Sequence, residues 1–180
     1  IPQNNLNPIQ RKIVTDMLQD FELSGVALSD LNKKRFEAIQ TRLADLSNQF
    51  DNHVLDATQA FTLVINNEKE LRGLPDHALA AAQELAHERG NPGWILTLET
   101  PCFLAVITYA ENRSLRETMY HAFATRASDQ GPHAGQYDNS AIINEILALR
   151  HEKAQLLGFT NYAELSVTTK MADSTQSVID

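Results

Sequence analysis

The sequence predicts a mainly α protein carrying a small two-stranded β element, and three observations lead there. Apolar residues return at steps of three and four along most of the 180 residues. Turn-forming clusters rich in Gly, Pro, Asn and Ser punctuate those runs at 24–25, 90–93 and 131–135. Two short stretches, 61–65 and 94–98, carry the β-branched and aromatic enrichment of strands.

The first helix is expected over 8–23, opened by Asn7 and Pro8 and closed by Ser24-Gly25. Ile9, Ile13, Val14, Met17, Leu18 and Phe21 form its apolar stripe. The longest element runs from Ser29 to about Ala57, with Phe36, Ile39, Leu43, Leu46, Phe50 and Val54 as its seam and Lys33, Lys34, Glu37, Arg42 and Asp45 on the other face. Such a seam suits a bundle core, and it also suits a partner helix. Phe61-Thr62-Leu63-Val64-Ile65 is a strand stopped by Asn66-Asn67. Pro75 opens a helix that covers 78–89 before Gly90-Asn91-Pro92-Gly93 breaks it. Trp94-Ile95-Leu96-Thr97-Leu98 is the second strand and pairs with the first.

Pro101 starts an apolar stretch through Tyr109. Ser114 with Glu117 reads as a capping box for a helix reaching about Arg126, which turns Leu115, Met119, Tyr120 and Phe123 inward. The segment 128–137 is a loop. From Asn139 onward, Ile142, Ile143, Ile146, Leu147, Leu149, Leu156 and Leu157 give a wide buried face closed by a left-handed Gly158. Asp173 and Ser174 read as the cap of a final helix with Val178 and Ile179 as its first apolar contacts. So short a helix is unstable alone, which reads as a chain cut from a longer protein or an end packed on something else. Residues 1–180 are therefore expected to form one helical domain fragment. Long antiparallel helices occupy 1–58, a strand-helix-strand unit 59–98, and a truncated helical bundle 99–180.

Composition removes several classes of function. With 23 Asp and Glu against 15 Lys and Arg the formal charge is −8, and no basic cluster offers a footprint for a phosphate backbone or an anionic lipid surface. Neither nucleic acid nor membrane is an expected partner, and no apolar run approaches the roughly 20 residues of a spanning helix. The single Cys102 closes no intrachain disulfide and no leader opens the chain, so a reduced cytoplasmic setting is expected.

Local chemistry is sparse. Zinc on a helix needs two ligands one turn apart, and His53, His77, His87, His121, His133 and His151 contain no such pair. His87-Glu88-Arg89-Gly90-Asn91 and His151-Glu152-Lys153-Ala154-Gln155 begin like H-E-x-x-H but end in Asn and Gln, so both read as solvated or side-chain-bonded His-Glu steps. Cys102, between Pro101 and Phe103, reads as an inert thiol. Asp16/Asp20 and Glu84/Glu88 read as solvated acidic faces. Trp94, Phe103, Tyr109, Tyr120, Tyr137 and Tyr162 could line a peptide groove but fit core positions better. Arg116, Arg126 and Arg150 lie in apolar helical stretches, where a structural ion pair is preferred over a bidentate carboxylate clamp.

Several tracts, taken in order, carry more information than any one of them. Leu115-Arg116-Glu117 with Tyr120, Thr125-Arg126-Ala127-Ser128-Asp129, Asp138-Asn139-Ser140, and the run from Leu149-Arg150-His151-Glu152-Lys153 through Gly158-Phe159-Thr160-Asn161-Tyr162-Ala163 resemble the thimet-oligopeptidase-like zinc metallopeptidases. Phe21-Glu22-Leu23-Ser24-Gly25, Leu46-Ser47-Asn48, Asp56-Ala57-Thr58 and Thr169-Lys170-Met171-Ala172 extend the resemblance over 21–180. Ala105-Val106 departs from the Pro-Val common in that family, so the turn after Pro101 is expected to differ.

The resemblance implies a largely helical, two-lobed cytoplasmic enzyme with a channel that admits short peptides. Hydrolysis would use a zinc-bound water, with the glutamate of H-E-x-x-H as general base and a downstream glutamate as third ligand. Those residues lie further toward the C-terminus in the family, so no catalytic or metal residue is carried over to this chain and substrate-binding residues stay unassigned. The expectation is an amino-terminal-half fragment of the channel-forming lobe, inactive alone. Zinc and the missing C-terminal catalytic lobe would belong to the full-length parent, and uncovered apolar surface would promote self-association. The residues leave a second reading open, a self-contained interaction module that offers the 36–54 seam to a partner helix.

Overall fold

The computed structural model describes residues 6–180, so the first five positions of the 1–58 stretch lie outside the described residues. The architecture is mainly α, with one two-stranded sheet. Helix α1 spans Pro8–Leu23. The Asn7 side chain accepts from the Gln10 N–H at 2.8 Å while the Gln10 side chain accepts from the Asn7 N–H at 3.0 Å, a reciprocal box that satisfies two otherwise orphaned donors. Helix α2 is Asp30–Ala60. Strand β1, Thr62–Ile65, leads through a 3-10 turn at Glu68–Leu71 to helix α3, Asp76–Glu88. Strand β2 is Trp94–Thr97, followed by α4, Thr100–Tyr109, and α5, Arg113–Ala124. After the 128–137 loop come α6, Ser140–Leu156, α7, Tyr162–Val167, and a final turn α8, Gln176–Ile179.

The chain divides into two compact units, one holding the described residues up to Ser47 with Ile143–Asp180, the other Asn48–Ile142. Helices α2 and α6 each contribute to both.

In the 48–142 unit β1 and β2 pair antiparallel in the register Thr62↔Thr97, Leu63↔Leu96, Val64↔Ile95 and Ile65↔Trp94. Gly93, at φ +87°, enters β2 so close to β1 that a Cβ would sit 2.3 Å from the Ile65 carbonyl oxygen, which leaves room for glycine alone. Helices α3 and α4 pack on β2, and α5 on α4. Their inward side chains, among them Leu71, Leu96, Leu98, Val106, Leu115 and Met119, form one continuous core with Phe61 and Ile65. Each fully buried side chain of this size contributes about 1.5–3 kcal/mol.

In the other unit, Phe36, Ile39 and Leu46 of α2, Leu149 and Ala154 of α6 and Leu165 of α7 are buried. Two bidentate ion pairs join α2 to α6: Arg35 to Glu152, both bonds 2.6 Å, and Arg42 to Glu145, at 2.6 and 2.7 Å. Gly158 ends α6 at φ +84°, with its N–H donating to Gln155 and that of Phe159 to Ala154, the left-handed closure expected there.

Several local expectations fail for identifiable reasons. Ser114 does not cap α5. Asn112 stands two residues earlier and its side chain accepts from the Leu115 N–H, so the helix begins ahead of the Ser114–Glu117 pattern. Tyr120 is 62% exposed, and Ala122, two residues on, takes the inward place. Ile143 and Leu147 are exposed on α6, whose buried side is narrower than the run of apolar residues suggested. The apolar stripe of α1 meets no core, since none of its residues is buried. Ala105 lies inside α4 and is buried, so no turn occurs at the Ala105-Val106 departure.

Candidate functional site

The tract Asp138-Asn139-Ser140 enters α6 and places a fully buried asparagine against α2. Asn139 is 1% exposed. Its amide Nδ2 donates to the Phe50 carbonyl at 3.2 Å, and its Oδ1 lies 2.8 Å from Nδ1 of His53. Because the amide nitrogen is committed to Phe50, Oδ1 is the acceptor and His53 donates from Nδ1. The Asn139 N–H donates to the carbonyl of Ala127, a non-glycine residue held at φ +50°. One side chain and its amide thus pin the 128–137 loop and α2 together. Beside it, hydrogen bonds from the Ser140 hydroxyl and N–H, aided by His53, hold the Asp138 carboxyl below its usual range.

Arg126 is the second fixed polar group in this unit. It donates from Nε to the Phe123 carbonyl at 2.9 Å and from a terminal nitrogen to Thr58 Oγ1 at 2.9 Å, and its guanidinium lies 3.5 Å above the Phe123 ring. Phe123 in turn stacks on Phe103 at 3.8 Å with 10° between the planes, giving a layered Phe-Phe-Arg column. Burial pulls the Arg126 pKa below its ordinary value. Arg116 binds the Ala110 and Glu111 carbonyls, and Arg150 lies 5.1 Å over the Tyr162 ring. The structural ion pair expected of these three arginines is therefore not found among the described residues. They bind carbonyls, a hydroxyl and aromatic faces, while the bidentate carboxylate partners go to Arg35 and Arg42.

The two His-Glu steps do not converge on a metal. His87 lies exposed in the last turn of α3, and Asn91 lies beyond the left-handed Gly90 with its amide donating to the Arg89 carbonyl. His151 is exposed on α6, and Glu152 is fully engaged by Arg35. No cluster of three His, Cys, Asp or Glu side chains is brought together among the described residues, so these donors do not fit a zinc ion.

A cavity of about 240 Å³ opens between α3, β2 and α4, lined by Ala81, Leu85, Ile95, Thr97 and Cys102. The Thr97 N–H donates to Sγ of Cys102 at 3.3 Å, but burial dominates and pushes the thiol pKa up. His77 also lines this space and makes no hydrogen bond to the thiol among the described residues. Among the aromatics, Phe103 is buried, Trp94, Tyr137 and Tyr162 are half-buried, and Tyr109 and Tyr120 are exposed. They form no common groove among the described residues.

The tracts that carry these contacts fall where comparison with known proteins is informative. The model of Peptidase family M3 matches residues 106–180, from the middle of α4 onward. Over 175 residues the chain is 54% identical to oligopeptidase A of Salmonella typhimurium, covering 97% of this chain and 26% of that protein. The match to Peptidase family M3 is thus confined to the last 75 residues. It is likewise 53% identical over 175 residues to oligopeptidase A of Escherichia coli, 97% of this chain and 26% of that protein. A probable cytosolic oligopeptidase A of Arabidopsis thaliana is 42% identical over 176 residues, 94% and 24%. The chain spans about a quarter of the length of these relatives. Arg116, Arg126, Asn139 and the whole of α6 lie inside the M3 match. Sequence reasoning missed Arg35 and Arg42, although each stands seven residues from the other, as Glu145 stands from Glu152; paired heptad spacings of opposite charge were the available signal.

Proposed function

We propose that this chain is a non-catalytic segment from the amino-terminal half of a zinc-dependent oligopeptidase, contributing helices to a channel-forming lobe that admits short peptides. The observation that carries the reading is 54% identity to an oligopeptidase A across 97% of the chain. Zinc and the groups that activate water belong, in this reading, to the rest of the polypeptide, and the matching C-terminal lobe is this segment's partner. The segment itself fixes helix positions: Asn139 holds the loop before α6 to α2, Arg126 closes α5 onto Thr58, and the two Arg-Glu pairs set α2 against α6. A cytoplasmic setting goes with the reading.

The test has two arms. The isolated chain, offered a short fluorogenic peptide with zinc, is expected to show neither chelator-sensitive hydrolysis nor stoichiometric zinc binding; either would overturn the assignment. Grafted in place of the aligned 175-residue stretch of the E. coli relative, it is expected to sustain peptide hydrolysis that a chelator abolishes. The interaction-module reading needs a free 36–54 seam. Phe36, Ile39 and Leu46 are instead buried by the chain's own residues, so no observation favours it.

A further inference from the structure

Helix α1 combines well-built ends with an unburied body. The Asn7–Gln10 box, Pro8 in the first turn, and Ser24 followed by Gly25 specify where it starts and stops, yet none of its sixteen residues is buried. A helix of that length is marginal in water on propensity alone. Ile9, Ile13, Met17 and Phe21 follow one another at steps of four within an arc of roughly 120°, and they are 73%, 53%, 55% and 60% exposed. Gln19 points from the opposite side and donates to the Thr168 carbonyl at 3.2 Å, so α1 is anchored to its own unit by one face while the apolar arc faces away. Lys12 and Asp16, paired with each other, flank one side of the arc and Asp20 falls within it between Ile9 and Ile13, so the charge along this side is net negative, unlike that of a helix that lies on anionic lipid.

We propose that this arc of α1 is a docking surface for the part of an oligopeptidase-length M3 polypeptide that lies outside these 180 residues, an inference that rests on the functional reading above. The aligned 175 residues make up 26% of the Salmonella relative, so such a polypeptide has about three times as much chain again with which to cover the arc. Ile13, Met17 and Phe21 call for an apolar face on that remainder, with Asp20 set beside water or a basic side chain.

Hydrogen exchange on the isolated chain and on the E. coli graft tests this. Amides of α1 are expected to exchange on the order of 100-fold more slowly in the graft than in the isolated chain, and the pair Ile13→Asp with Met17→Asp to remove that protection. The same pair should leave the far-ultraviolet spectrum of the isolated chain unchanged, because neither side chain is buried in it. Protection of α1 already present in the isolated chain would overturn the proposal by showing that the chain covers itself. Protection in the graft that grows with protein concentration would overturn it in favour of a second copy, and exchange in the graft as fast as in the isolated chain would overturn it outright. A graft that hydrolyses peptide while α1 stays unprotected defeats this inference alone; a folded graft without hydrolysis defeats the functional reading instead. If the graft does not fold, the two substitutions at the aligned positions of the E. coli protein give the same readout. Unchanged exchange there overturns the proposal.

Discussion

Asn139 is 1% exposed and has all its side-chain bonds to α2. Replacing it with Ala leaves the Phe50 carbonyl and the His53 Nδ1–H without their partner in a buried place, a loss of about 1–3 kcal/mol. Urea unfolding of Asn139→Ala is expected to show a lower midpoint with an unchanged slope; a midpoint equal to that of the parent sequence would mean the amide is dispensable. Nothing local in the sequence marks this residue, because its partners stand 86 and 89 positions away. It was visible only as the middle of a tract that resembles a family. Arg126 shows the opposite limit. Its placement in an apolar helical stretch marks a partly buried cation, but the partners are a carbonyl, a hydroxyl and a ring face in place of the expected carboxylate.

Among the elements, α2 and α6 are tied by two ion pairs seven residues apart, and this arrangement has a salt signature. A double-mutant cycle on Arg35 and Glu152 is expected to give a favourable coupling at low ionic strength that falls toward zero in 1 M salt, where the screening length is about 3 Å. A coupling indifferent to salt would remove electrostatics as its cause. Hydrogen bonds from Arg42 and Arg35 hold the Glu145 and Glu152 carboxyls below their usual range. A carboxyl whose pKa is lower folded than unfolded contributes fully above the unfolded value, near 4.3, and the contribution disappears as pH falls through the lower folded value. Thermal scans from pH 6 downward are therefore expected to lose stability below about pH 4, and less so in the Arg35→Ala, Arg42→Ala variant. Most of these elements were legible: α1, α2, β1, α3, β2 and the Gly158 closure lie within a few residues of their expected bounds. Periodicity and breakers are local signals, and they worked where the chain's own neighbours decide. They misplaced the cap of α5, where Asn112 and not Ser114 caps the helix, and left α7 unread, where the Asn161 side chain caps by accepting from the Glu164 N–H.

At the scale of the whole molecule, the mainly α fold class and the likeness to Peptidase family M3 over 106–180 were legible, whereas the placement of the candidate site residues was not. That asymmetry is physical. Helices announce themselves through spacing within a few turns, but a catalytic centre is assembled from distant segments, and no described trio of ligating side chains converges here. Two compact units also mean that one stability value need not describe the chain. The sole tryptophan, Trp94, is half-buried in β2 opposite Ile65 and lies wholly in the 48–142 unit. Its fluorescence therefore watches one unit, whereas the helical circular dichroism signal sums over both. Independent melting would appear as two midpoints from one sample, and coincident curves would show that the continuous helices α2 and α6 transmit unfolding from one unit to the other.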